Sequence, residues 1–130
     1  MAIDTNIRYA PLGDLYLDAK NPRLGRQNTS KDLSQDQILE LMKDWALEEL
    51  ALSFLESGFW PQEALIVVRE NVGAGQRLVV VEGNRRLAAL KLVVAARAGR
   101  PASRRWTELA ESGTGEQLAR LEQVPYLALA

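Results

Sequence analysis

Eighteen residues, Arg77 to Val94 (RLVVVEGNRRLAALKLVV), constrain the fold more than any other part of the chain. Leu78 to Val81 form a short, mostly β-branched apolar run, the pattern of a strand covered on both faces. Gly83 then permits a sharp change of direction, and Asn84 is of a residue type that caps helices. From Leu87 to Ala98 almost every position is apolar except Lys91 and Arg97, so little of a helix there can face water. The stretch predicts a buried strand, a glycine turn and a central helix over 85–98.

Arg85 and Arg86 fall in the first turn of that helix. Cations are disfavoured there by the partial positive charge of the helix end, and the free backbone N–H groups already point outward. An anion relieves the conflict. Gly83 carries no Cβ to block its approach, so a phosphate held by backbone N–H groups and arginine forks suits the position. The alternative is an ordinary strand-to-helix turn whose arginines pair with carboxylates such as Glu82, and so short a motif does not choose between the two.

A chain of 130 residues, 47% hydrophobic and 25% charged, is about one globular domain with its own core. It contains no cysteine and no histidine. Disulfides, cysteine nucleophiles, histidine-based triads and the usual zinc ligands are thereby excluded, and no catalytic or metal-ligating residue is assigned. No basic leader with an apolar core opens the sequence, and no segment approaches the ~18 uninterrupted apolar residues of a membrane span. A cytoplasmic protein without membrane contact is expected. Sixteen basic against seventeen acidic residues argue against nucleic-acid binding through bulk charge. The charges are unevenly spread: 84–105 holds seven Lys and Arg and no acid, whereas 31–56 holds seven acids and two lysines. That leaves open a basic face for phosphate or simply solvated helix surfaces.

Elsewhere, Ile7 to Leu17 is broken by Pro11 and Gly13 and predicts short extended pieces. Asp18 to Arg26 (DAKNPRLGR) predicts a turn with Arg23 and Arg26 on a loop. Ser34 with Gln37 fits a capping box, and Ile38, Leu41, Met42 and Trp45 follow helical spacing. Asp44 is placed to cap a second helix that carries Leu47, Leu50, Ala51, Phe54 and Leu55 and stops at Gly58. The aromatic residues Trp45, Phe54, Phe59 and Trp60 read as core and rim or, less simply, as base-stacking groups. Ala64 to Arg69 predicts a second buried strand. NVGAGQ, 71–76, reads as a flexible link short enough to make the two strands an antiparallel hairpin. Short helices are expected over 106–112 and 116–121, then an apolar strand from Val124 to Ala130. Such an apolar end suggests a piece of a longer protein, and Leu127 to Ala130 pairing with a neighbour's edge strand is a route to a homodimer. The fold class is α/β in the α+β sense, a small mixed sheet with a β-hairpin and packed helices.

Three blocks, taken in order, resemble the N-terminal domain of the ParB and sulfiredoxin superfamily. They are NPR at 21–23, LALSFLESGFWPQEALIVV at 50–68, and VVVEGNRRLAAL at 79–90, the last similar to that family's GERR box. The resemblance covers most of the chain, with VPYLAL similar to the strand that follows. It implies that Gly83, Asn84, Arg85 and Arg86 form a nucleotide phosphate site. Gly58 would lie near the base and Arg23 would approach the same cleft. The nucleotide is CTP in partition-type members and ATP in sulfiredoxins, with Mg²⁺ as the accompanying ion. The departures are specific. Sulfiredoxins carry their nucleophilic cysteine in this box, so sulfinic acid reduction is excluded here. Partition-type members have Glu at the position of Asn84 and a second phosphate box, ENxQR, which this chain lacks; the 27–45 segment is also longer than theirs. The resemblance implies a nucleotide-binding regulatory domain, with DNA as a partner of a fuller protein. A nuclease or nucleotide hydrolase using Glu82 with Glu56 or Glu63, and a ligand-free interaction domain, are the alternatives.

Overall fold

The computed structural model describes residues 3–20, 34–42 and 45–129. Among the described residues five strands and five α-helices alternate unevenly. Strands β1 (Arg8–Pro11) and β2 (Leu15–Leu17) come first, separated by a 3₁₀ turn at Leu12–Asp14. Helices α1 (Gln35–Met42) and α2 (Glu48–Ser57) follow, then β3 (Leu65–Val72), β4 (Gly75–Glu82) and α3 (Asn84–Arg97). The chain ends with α4 (Arg104–Glu111), α5 (Gly115–Ala119) and β5 (Gln123–Ala128). One mixed sheet has the order β1-β5-β3-β4-β2, in which β3–β4 and β1–β5 are antiparallel while β5–β3 and β4–β2 are parallel. The expected small mixed α+β sheet with a hairpin is what forms.

Local chemistry accounts for most boundaries. The Ser34 hydroxyl accepts from the Gln37 N–H at 3.1 Å and the Gln37 side chain accepts from the Ser34 N–H at 2.8 Å, so the capping box of α1 is made. A second box opens α5, where Thr114 and Gln117 exchange the same two bonds. Helix α2 stops at Gly58, whose φ of +78° only glycine adopts readily. Its cap position is Leu47, without a side-chain capping bond, and Asp44 lies outside the described residues. The 71–76 link is not a flexible loop. Val72 pairs with Gly75, leaving only Gly73 and Ala74 in the turn, and Gly73 at φ +57° supplies the positive φ that a two-residue hairpin turn needs. Both strands accordingly run to eight residues.

Helix α3 is central, as its composition requires, with Leu87, Ala88, Ala89, Leu90 and Val93 wholly excluded from solvent. It packs between one face of the sheet, through Leu15, Leu17, Leu65, Val67 and Val80, and the other helices, through Ile38, Met42, Ala51, Leu55 and Trp106. The opposite face is different. Strand register aligns Tyr9 with Pro125, Ile66 with Leu127, and Val68 with Val79 and then Tyr16, yet Val79 stands outside the core cluster. The β4 run is therefore covered by helices on one face, not two. Tyr9 on β1 and Val81 on β4 are 54% and 38% exposed. The C-terminal strand departs from expectation too. Around Leu127 it pairs with β3 on one side and with the segment ahead of β1 on the other, through Ile3–Leu129 and the Asp4 N–H to Ala128 C=O bond. Leu127 to Leu129 thus offer no free edge to a neighbour, and Ala130 lies outside the described residues.

Lys91 is the one charged residue on the buried part of α3. Among the described residues its amine reaches the Leu12 carbonyl alone, at 3.4 Å, and burial pushes its pKa below the ordinary lysine value. The unfolded chain holds that proton to higher pH than the folded chain. Stability should therefore carry a constant penalty at neutral pH and rise as pH climbs from the lowered folded pKa toward the ordinary value. Lys91→Met is expected to remove the penalty. The Leu12 carbonyl keeps its bond from the Leu15 N–H, so a gain of about 1 kcal/mol, or roughly 4 °C in Tm, should appear at pH 7 in a calorimetric scan. The alkaline rise in stability should vanish with it.

Candidate functional site

Strand β4 delivers the chain to α3 through a single residue. Gly83 stands at the cap position with φ +100° and ψ +21°, and no side chain caps the helix. A Cβ on Gly83 would lie 2.5 Å from Leu65 Cδ2 and 2.9 Å from an Arg86 guanidinium nitrogen. The glycine thus serves left-handed geometry and close packing. The space expected to admit an anion beside it is filled by Leu65 and Arg86.

Asn84 does not cap the helix. It is the first helical residue and is 7% exposed, the one polar side chain buried among the described residues. Its amide nitrogen donates to the Val80 carbonyl at 2.9 Å, and its oxygen accepts from the Asp18 N–H at 3.0 Å. Val80 lies on β4 and Asp18 directly follows β2, the parallel neighbour, so Asn84 ties the ends of two strands to the start of the helix. Gln35 makes a similar tie one residue earlier, exchanging two hydrogen bonds with the Leu17 backbone. The described chain leaves this anchor at Lys20, and Arg23 lies outside the described residues.

The two arginines use backbone carbonyls. Arg85 donates to the Trp45 carbonyl at 3.2 Å, and Arg86 donates to the Glu63 carbonyl. Trp45 precedes Ala46, the sole non-glycine residue with positive φ among those described, at +56°. Glu63 closes the 3₁₀ turn Pro61–Glu63 that follows Gly58, Phe59 and Trp60. Neither arginine pairs with Glu82 or with any other carboxylate among the described residues, so the ion-paired version of the turn is not what forms. Trp60 is 53% exposed on the same turn, while Phe54 and Phe59 pack ring to ring at 4.8 Å.

Gly83 to Arg86 are therefore brought together with the turn after Gly58, held through Glu63, and with the end of β2, held through Asp18. Arg85 additionally ties in the α1–α2 connection. A participant that sequence reasoning misses is Asn84 in its bridging role, whose partners stand 4 and 66 residues away in sequence. Among the described residues no group of three or more acidic side chains gathers into a cation site, so Glu56, Glu63 and Glu82 do not converge. The described helices include none long and apolar enough to cross a membrane. Comparison with protein-family models, with curated proteins and with solved structures gives no match to this chain.

Proposed function

We propose that this chain is a nucleoside-triphosphate-binding regulatory domain of the ParB-like kind, taking CTP or ATP at the start of α3 and working within a DNA-associated protein. One observation carries the reading. Two adjacent guanidinium groups stand at the positive end of a fourteen-residue helix, and their described partners are neutral carbonyls. A phosphate oxygen makes charge-assisted bonds roughly twice as strong as those carbonyls do, so it competes for both forks. Two of the three blocks that resemble the superfamily also meet at this point, Glu63 in the second and Gly83 to Arg86 in the third, while the NPR block lies outside the described residues.

The roles follow from position. Arg85 and Arg86 bind phosphate, with Arg86 leaving Glu63 to do so. Gly58 and the exposed Trp60 lie on the turn expected to flank the base, and Asn84 positions the strand ends instead of touching ligand. Mg²⁺ would have to enter on the triphosphate, because the described residues offer no carboxylate group to hold it.

Thermal unfolding with CTP, ATP, GTP and UTP, with and without Mg²⁺, tests the proposal. A nucleotide at ~100 times its Kd stabilises by about 2.7 kcal/mol, which raises Tm by several degrees. That shift should occur for a preferred base and be lost in the Arg85→Ala, Arg86→Ala variant. Equal shifts in variant and wild type would sink it. A second reading, a protein-interaction domain, is favoured by the sheet face of Tyr9, Ile66, Val68 and Leu127, which stand outside the core cluster with Tyr9 exposed and the other three half-buried.

A further inference from the structure

The other end of α3 carries a second concentration of positive charge. Residues 97–105, RAGRPASRR, are nine consecutive exposed residues with four arginines and no acid. They form a built corner. Gly99 adopts φ +88°, the Arg100 N–H returns to the Ala95 carbonyl at 2.8 Å, and Pro101 follows directly. On the far side, Trp106 and Ala110 are each 2% exposed and seat α4 in the core. The arginines therefore project from a fixed turn, about 20 Å along the fourteen-residue helix from Arg85 and Arg86.

Their charge is weakly compensated. Among the described residues Arg97 and Arg100 have no described partner. Arg104 sits 3.7 Å from Glu108 with its side chain 93% exposed, a solvated pair of small energetic consequence. Arg105 stands 3.6 Å from Glu48 and is the best anchored of the four.

We infer that this corner binds the sugar–phosphate backbone of duplex DNA without reading its sequence. All four cations are arginines, whose planar forks match phosphate oxygens, and the residues between them are Ala, Gly, Pro, Ala and Ser, small enough to let a backbone approach closely. Single-stranded nucleic acid calls for aromatic stacking platforms, and the corner offers none because Trp106 is buried. A membrane surface calls for apolar anchors beside the cations, which are equally lacking. The inference is independent of nucleotide binding at the opposite end of the helix.

Fluorescence anisotropy of a labelled 30-bp duplex, titrated with the full chain at several KCl concentrations, tests it. Each phosphate contact contributes about 0.9 to the slope of log K against log salt. The Arg97→Ala, Arg100→Ala, Arg104→Ala variant leaves the Arg105–Glu48 pair in place. It should bind at least about tenfold more weakly at low salt and with a slope shallower by roughly 2 to 3. Arg85→Ala, Arg86→Ala should keep most duplex binding. Circular dichroism should show both variants folded. Unchanged affinity and slope in the triple variant would overturn the inference, as would absence of duplex binding by the wild type at low salt. Polyglutamate or phosphatidylserine vesicles binding at least as tightly as the duplex, through the same arginines, would also overturn it and assign the corner to an acidic protein or a membrane.

Discussion

Replacing Gly83 with alanine is expected to lower Tm by about 10 °C. Two costs combine. A non-glycine residue in left-handed geometry loses about 1–2 kcal/mol, and φ +100° lies beyond the usual left-handed well. The new methyl group would also meet Leu65, which is wholly buried, at 2.5 Å and Arg86 at 2.9 Å, and overpacking of this kind costs about 1–3 kcal/mol. The sum is near 3 kcal/mol. Gly99→Ala is the natural control, because φ there is +88° and an added methyl would have nothing within 4 Å. It isolates backbone strain, and its loss should be about 1–2 kcal/mol. If chemical denaturation gave the two alanine variants equal stability, the packing of Leu65 and Arg86 over Gly83 would be refuted.

Asn84→Ala should cost about as much, for a different reason. The substitution removes the donor to the Val80 carbonyl and the acceptor for the Asp18 N–H in one step, and each buried group left without its partner costs about 1–3 kcal/mol. A total near 3 kcal/mol is expected, less whatever water recovers at the partly buried Asp18. The effect should also be local. Amide exchange at Asp18 should accelerate well beyond the global loss of stability, since Asp18 follows the last residue of β2 that is paired with β4 and the Gln35 side chain reaches only as far as Leu17. Exchange at Asp18 that merely follows global unfolding would show that Asn84 is a passive core residue. Asn84→Leu provides a further check, as it fills the volume without either bond and should rescue little.

These two residues mark how far the sequence can be read. Gly83 is legible as a turn, because a glycine between an apolar strand run and an apolar helix run leaves few alternatives. Which atoms crowd it is not, because Leu65 is eighteen positions away and meets it only once β3 and β4 have paired. Asn84 reads as a cap because short polar side chains at helix starts usually bond to their own backbone. Here the stronger claim comes from the neighbouring strand, and the cap position passes to Gly83. That Arg85 and Arg86 turn to the Trp45 and Glu63 carbonyls and not to Glu82 is legible only after folding brings those carbonyls alongside.

Local periodicity by itself determined the central helix, the hairpin, the Ser34 capping box, the stop at Gly58 and the mixed α+β character, because each depends on residues within a turn or two of one another. Absence of cysteine and histidine likewise settled which chemistries were closed. Tertiary structure alone decided that β5 lies inside the sheet between β1 and β3, that one sheet face is left without helices, and that Lys91 is half-buried beside Leu12. It also decided that the ends of β2 and β4 are joined through Asn84. Each of these is set by contacts between segments far apart in the chain, where side-chain pattern specifies which residues are buried but not which strand or carbonyl they will meet.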